Sequence, residues 1–113
     1  MMNQGGVTVL HEGEEYSRAI KSTENVVIFF TAKWCRPCID FRDKFAKIAQ
    51  EKAMTNVRYL SIDVDEFPEI SDQFEVCVVP SFYAVKNKVI WPTQNVLGDN
   101  EKEVRGFIDK LVV

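Results

Sequence analysis

Residues 26–38 read VVIFFTAKWCRPC and join a strand pattern to the start of a helix pattern. Its first five residues, 26–30, are β-branched or aromatic without interruption, which is typical of a central strand covered on both faces. From Cys38 to about Lys52 apolar side chains recur at helical spacing, so one stripe of a long helix faces the core. A buried strand therefore runs almost directly into a helix, and two cysteines lie at the junction.

Strands and helices alternate on either side of this stretch. The predicted strands are 8–10, 26–30, 57–62, 81–85 and 89–90, and the predicted helices are 14–21, 38–52, 68–74 and a closing helix after Asn100. Asn100 with Glu103 resembles a capping box, Asn87-Lys88 predicts a turn, and Pro92 indicates an edge strand or a bulge. This order predicts an α/β fold in which helices flank both faces of a central mixed β-sheet.

Length and charge exclude several classes of protein. The chain has 113 residues, which fits one domain; we assign residues 7–113 to it and residues 1–6 to a disordered N-terminus. Its 14 basic and 17 acidic residues are mixed, which argues against a nucleic-acid binder and against a polybasic membrane-binding segment. There is no apolar run of about 18 residues and no signal-peptide pattern. We expect a cytoplasmic monomer that contacts neither nucleic acid nor membrane.

The three cysteines are an odd number in a chain large enough to fold without bridges, which indicates reactive rather than stapling cysteines. The spacing of Cys35 and Cys38 puts both Cβ atoms on one helical face, about 5–6 Å apart. A disulfide needs about 3.5–4.5 Å, a small adjustment in a first turn. Closing so short a loop stabilises a fold by only about 2 kcal/mol. The bond is therefore better suited to opening and closing than to stapling.

The start of a helix favours a thiolate at Cys35, because unpaired N–H groups and the positive end of the dipole lie there. Arg36 adds a positive charge, and Pro37 presets the helical backbone angle. Cys38 lies on the apolar stripe with Phe41 and is expected to stay a sheltered thiol. We therefore assign Cys35 as the attacking nucleophile and Cys38 as the resolving thiol.

His11, Cys77 and the acidic residues around Asp63 allow further interpretations. His11 and Cys77 could complete a zinc site with the cysteine pair by count, but they are scattered, so no metal site is predicted. Cys77 could be an accessory redox site, although a small buried apolar residue is the preferred interpretation. The acidic residues around Asp63 lack the spacing of a calcium loop and indicate a solvated loop.

Taken together, these motifs resemble the thioredoxin family. The matching segments are 30–38, 62–66, 79–82 and 96–98, in the family's order and close to its spacings. The resemblance covers nearly the whole chain. It implies the thioredoxin fold with a cis bond before Pro80, facing the cysteines. It also implies that the Val79 backbone pairs with an extended substrate, and that Trp34 belongs to a docking wall rather than to the core.

The resemblance further implies disulfide-containing substrate proteins, a thioredoxin-reductase-like electron donor and no bound cofactor. Four departures modify it. Arg36-Pro37 replaces Gly-Pro, Phe29 stands where the family has a buried Asp, Tyr59 replaces an occasional Lys, and the segment 86–97 is longer and carries Trp91-Pro92. Without the buried carboxylate, which accepts the proton of the resolving thiol, the second step should be slow or use water or a nearby acid.

Two functions remain open from the sequence. The first is a thiol–disulfide oxidoreductase that reduces protein disulfides, with an oxidising or isomerising direction also open because Arg36 would stabilise the reduced thiolate. The second is a redox-weak thioredoxin-fold binding or scaffold module, suggested by Phe29 and Tyr59.

Overall fold

The structure is a computed structural model that describes residues 3–4, 6–92 and 95–113. Its elements are, in order, β1 (Asn3–Gln4), β2 (Val7–Val9), α1 (Gly13–Ser22), β3 (Asn25–Thr31), α2 (Arg36–Glu51), β4 (Val57–Asp63), α3 (Pro68–Gln73), β5 (Ser81–Lys86), β6 (Val89–Ile90), β7 (Val96–Leu97) and α4 (Glu101–Val112). In these described ranges, no helix is long and apolar enough to cross a membrane.

All the strands belong to one mixed sheet, in the order β1-β2-β4-β3-β5-β6. β2, β4 and β3 run parallel, whereas β5 is antiparallel to β3. The outer edge of β5 pairs with two short strands: Val85 lies opposite Ile90 of β6, and Phe82 lies opposite Val96 of β7. The predicted mixed sheet is confirmed.

The central strand β3 sends alternate side chains to opposite faces of the sheet. Val27 and Phe29 belong to the core cluster that α2 and α4 cover, and Ile28 and Phe30 belong to the cluster that α1 and α3 cover. All four are buried. Helices therefore flank both faces, as predicted, and this explains why the sequence of β3 is continuously apolar rather than alternating.

The structure adds two strands that the sequence did not predict, β1 and β7, each only two residues long. Asn3–Gln4 pairs antiparallel with β2, whereas residues 1–6 were expected to be disordered, so that prediction is wrong for this pair. Met1, Met2 and Gly5 of the same stretch lie outside the described residues. Two residues are too few to show a periodic pattern, and their pairing depends on the backbone alone.

The hairpin between β5 and β6 turns at Asn87-Lys88, as predicted. Both residues have a positive φ, 53° and 70°, as a two-residue turn that follows the twist of the strands requires. Beyond β6, the Trp91 N–H donates to the Ala84 carbonyl at 2.9 Å, and the Trp91 ring lies 5.4 Å from Phe107. The predicted edge strand is present as β6, and Trp91 packs against the core next to it.

Candidate active site

Cys35 and Cys38 form a disulfide with their Cα atoms 5.3 Å apart. Cys35 is the N-cap of α2, and its Sγ accepts a hydrogen bond from the Cys38 N–H at 3.3 Å. Pro37 lies in the first turn, which contains no acidic residue. Cys35 is 4% and Cys38 1% exposed, so burial alone does not separate their roles in the oxidised state. Their positions differ: Cys35 caps the helix, and Cys38 belongs to its core-facing stripe.

The loop before α2 is attached to the loop after β4 by two side-chain contacts. Trp34 is 70% exposed, and its Nε1–H donates to Asp65 Oδ2 at 2.8 Å. Lys33 Nζ forms an ion pair with Glu66 Oε2 at 3.0 Å. Asp63 Oδ1 in turn accepts the backbone N–H groups of Asp65 and Glu66. Sequence reasoning treated these acids as a solvated loop and missed the indole contact, because the two partners meet only in the folded chain.

The Arg36 guanidinium, next to Cys35 in sequence, is ion-paired with a carboxylate of α2. Its Nε lies 3.3 Å from Asp40 Oδ1, one helical turn further on, and both side chains are largely exposed. The positive charge beside Cys35 is thereby partly offset. The unpaired N–H groups at the start of α2 also contribute positive potential at Cys35.

The Val79–Pro80 peptide bond is cis, which confirms the geometry that the resemblance implied. Because Ser81 pairs with Phe30, Pro80 lies beside the end of β3 from which the chain enters the cysteine loop. The Pro80 carbonyl accepts from the Gly98 N–H at 2.8 Å, and Gly98 has a φ of 109°, which favours glycine. Within the described ranges, no hydrogen bond engages the Val79 N–H or carbonyl.

Three large apolar side chains are exposed at this same end of the sheet. They are Trp34, Val78 and Leu97, which are 70%, 48% and 61% exposed, and we call them the apolar rim. Val78 precedes Val79, and Leu97 pairs with Ser81 next to Pro80. The exposure of Trp34 agrees with a docking wall rather than a place in the core. Sequence reasoning missed Val78 and Leu97 as surface residues, since isolated apolar residues in short segments are usually assigned to the core.

Cys77 is exposed, so the preferred interpretation of a buried apolar residue is wrong. The reason is local: α3 ends at Gln73, Glu75 follows with a φ of 54°, and the chain turns outward there. The Cys77 thiol donates to the Glu75 carbonyl, with 3.5 Å between Sγ and the oxygen. No group of three or more His, Cys, Asp or Glu side chains in the described ranges could hold a metal ion.

Phe29 is 1% exposed and belongs to the same core cluster as Cys38. Its ring stacks on Phe82 at 5.0 Å and meets Phe45 edge-on at 5.3 Å. Tyr59 lies on the same face; its hydroxyl donates to the Lys52 carbonyl at 2.7 Å, and burial, with the charge of Asp109, raises its pKa to about 12. Aromatic rings therefore occupy the position where the resemblance implies a carboxylate.

Comparison with known proteins supports this geometry. The sequence model of the thioredoxin family matches residues 7–110. The chain is 31% identical to thioredoxin H3 of Arabidopsis thaliana, over 97% of this chain and 93% of that protein. Monothiol glutaredoxin-4 of Saccharomyces cerevisiae is 40% identical over 58% of this chain, and the match spans only 27% of that longer protein.

A solved structure agrees with the sequence comparisons. The crystal structure of oxidised mitochondrial thioredoxin 3 from Saccharomyces cerevisiae superposes with a TM-score of 0.80 at 30% identity, over 93% of this chain and 95% of that chain. The central mixed sheet, its flanking helices and the Trp34-Cys35 to Cys38 segment all have counterparts in the thioredoxin fold. By sequence and by fold, this chain belongs to the thioredoxin family of thiol–disulfide oxidoreductases.

Proposed function

We propose that the protein reduces disulfides in other proteins by thiol–disulfide exchange through Cys35 and Cys38. The observation that carries this proposal is the cysteine pair itself: Cys35 at the N-cap of α2 is bonded to Cys38 in its first turn. An N-cap sulfur is stabilised as a thiolate by the backbone N–H groups of the first turn.

The proposed reaction has two exchange steps. The Cys35 thiolate attacks one sulfur of a substrate disulfide; the Cys35–substrate bond forms, the substrate S–S bond breaks, and the first substrate sulfur leaves as a thiolate. Cys38 then loses its proton and attacks Cys35 Sγ, so that the Cys35–Cys38 bond forms and the second substrate sulfur leaves. Two electrons pass from the protein's dithiol to the substrate. A thioredoxin-reductase-like partner would return them, and no bound cofactor is required.

Substrate docking is proposed at Val79 and the apolar rim. An extended peptide could add to the Val79 N–H and carbonyl as a short strand, since neither is engaged within the described ranges. Its apolar side chains would contact Trp34, Val78 and Leu97, which are exposed around the same end of the sheet. Trp34 would present a fixed face, because Asp65 holds its indole. The monomeric state and the cytoplasmic location stay predictions.

An insulin-reduction assay tests the proposal. Cys35→Ser is expected to reduce turnover to background, because no sulfur remains at the N-cap. Cys38→Ser should also lose turnover but should accumulate a protein–insulin mixed disulfide, visible by mass spectrometry under non-reducing conditions. Cys77→Ser is the matched control and should keep the parent rate. Turnover that survives in Cys35→Ser would overturn the assignment of the nucleophile.

The aromatic cluster at Phe29 supports a second candidate, a binding or scaffold module with weak redox activity. At the position where the resemblance implies a buried carboxylate, Phe29 has a ring packed against Phe45 and Phe82. This candidate expects negligible insulin turnover by the parent protein. It also expects the Cys35→Ser/Cys38→Ser double variant to bind a reduced insulin B chain as tightly as the parent does. Fast turnover by the parent would exclude it.

A further inference from the structure

A cavity of about 190 Å³ lies between the start of α2 and the ends of β3 and β4. The residues on its wall that matter here are Phe29, Thr31, Cys38, Ser61 and Asp63. The hydroxyl and carboxylate groups of this lining offer hydrogen-bond partners. A cavity of this size with polar partners on its wall admits water.

The register of the sheet explains why Asp63 shares this cavity with Cys38. Phe29 pairs with Ser61 and Thr31 pairs with Asp63 across β3 and β4. These alternate positions send their side chains to the face that α2 covers. Asp63 Oδ1 accepts two backbone N–H groups, from Asp65 and Glu66, and among the described residues nothing donates to its Oδ2. One carboxylate oxygen is thus committed to the turn, and the other is free to take a proton.

The charges around Asp63 come from three segments. Lys33 is ion-paired with Glu66, and the pKa of Lys33 is raised by its hydrogen bond to Glu66 and by the charges of Glu66 and, to a smaller extent, Asp63. Arg42 of α2 also lines the cavity. The fourth group, Asp65, is bonded to the Trp34 indole. Lys33, Arg42 and Glu66 therefore share the wall of the cavity with Asp63, whereas Asp65 is bonded to Trp34.

Cys38 needs a proton acceptor in the second exchange step. It is 1% exposed and belongs to a largely aromatic cluster, an environment that disfavours a thiolate. On the Phe29 side there is only a hydrocarbon ring. Among the described residues near Cys38, those on the polar side of the cavity are the ones that can receive its proton.

We propose that the Asp63 carboxylate accepts the proton of Cys38, through water in this cavity, when Cys38 releases a substrate. The Cys38 S–H bond breaks as Asp63 becomes protonated, and the Cys38 sulfur attacks Cys35 Sγ. The Cys35–Cys38 bond forms while the Cys35–substrate bond breaks, and the departing substrate thiolate takes up a proton. Asp63 afterwards returns its proton to solvent at the mouth of the cavity.

This inference depends on the proposed exchange reaction, and a two-phase experiment separates the two. In a Cys77→Ser background, the reduced protein is mixed in slight excess with a symmetrical aromatic disulfide whose thiolate is coloured. Attack by Cys35 releases the first coloured thiolate, and attack by Cys38 releases the second. Stopped-flow absorbance follows both releases from about pH 6 to pH 9.

Asp63→Asn removes the charge but keeps an oxygen that can accept the two turn hydrogen bonds. We expect it to leave the first release within about twofold of the parent and to slow the second about tenfold or more near pH 6–7. The difference should narrow toward the alkaline end of the range, because the rising hydroxide concentration can take the Cys38 proton without Asp63. Asp63→Glu should recover most of the second rate, and Asp43→Asn, on the exposed side of α2, should change neither.

A second release in Asp63→Asn that matches the parent throughout the pH range would overturn the inference while leaving the exchange function intact. Equal slowing by Asp63→Asn and Asp63→Glu would overturn it as well, because the carboxylate would not be what matters. If the parent showed no first release, the exchange function itself would fail.

Discussion

At the scale of single residues, the identity of position 29 decides how the sheltered cysteine is surrounded. A carboxylate there would share the core with Cys38, but this chain places a phenyl ring against Phe45 and Phe82 instead. Packing and acid–base chemistry therefore compete for one position. Because this chain has the packed ring, a group other than residue 29 must accept the proton of Cys38.

Substitutions of Phe29 measure how much its buried ring contributes to the free energy of unfolding. Phe29→Ala should lower the free energy of unfolding by about 3–5 kcal/mol, because it removes a buried ring from the cluster. Phe29→Asp should cost more than Phe29→Ala, since a carboxylate among rings has no partner. Denaturant unfolding followed by tryptophan fluorescence gives both values. A Phe29→Asp protein as stable as Phe29→Leu would show that the position tolerates a carboxylate.

Tyr59 makes stability depend on alkaline pH. Burial raises its pKa from 10.0 to about 12, so the folded state holds the phenol proton more tightly than the unfolded chain does. The stability contributed by the neutral phenol is complete below about pH 10 and is lost as the pH rises through 12. The stability advantage of the parent over Tyr59→Phe should therefore shrink between pH 9 and pH 12. Tyr16 and Tyr83 are present in both proteins, so their ionisation cancels in this difference. A stability difference that stays constant up to pH 12 would therefore contradict the raised pKa of Tyr59.

Residues whose role is local could be predicted from the sequence. The cysteine pair follows from its spacing at a strand–helix junction, and the cis bond at Pro80 from the family resemblance. Cys77 and Asp65 could not be predicted in the same way. The exposure of Cys77 depends on the positive φ of Glu75, and the contact from Asp65 to Trp34 joins residues 31 positions apart.

At the scale of elements, periodicity identified the long segments and failed for the shortest ones. β3 and α2 have enough residues to show an apolar run and a helical stripe, and both were predicted. β7 has two residues and pairs with β5. This pairing requires the chain to turn back after Trp91-Pro92, and no local sequence pattern predicts that it does.

The backbone of the turn between β5 and β6 is strained at Lys88, and a substitution there can relieve the strain. Lys88 has a φ of 70°, a region where a side chain costs about 1 kcal/mol and glycine costs little. Lys88→Gly should therefore raise the free energy of unfolding by about 1 kcal/mol. Lys88→Ala, which removes the charge but keeps a Cβ, should leave it nearly unchanged. Equal effects of the two substitutions would contradict the assignment of strain. Activity should not change, since this turn lies at the other end of β5 from Pro80.

At the scale of the whole molecule, stability comes from two cores, one on each face of the sheet, rather than from the disulfide. The cluster under α2 and α4 and the cluster under α1 and α3 together contain most of the buried apolar side chains. The bond between Cys35 and Cys38 closes a loop with a sequence separation of 3. So short a loop restricts the unfolded chain only slightly.

Reduction should therefore leave the protein folded. We expect the oxidised form to exceed the reduced form by no more than about 2 kcal/mol in the free energy of unfolding. Denaturant titrations with and without reductant, in a Cys77→Ser background, give the difference. A reduced chain that failed to fold would mean that the bond is structural, and the exchange function would lose its basis.

The proposed exchange requires that the start of α2 makes Cys35 more acidic than an ordinary thiol. Its most direct test is the pH dependence of the alkylation rate of Cys35 in the reduced protein, measured peptide by peptide by mass spectrometry, with the chain unfolded in denaturant as reference. We expect the midpoint for Cys35 in the folded protein to lie below about 8.5, the value of an ordinary thiol. The same midpoint in the folded and the unfolded chain would contradict it.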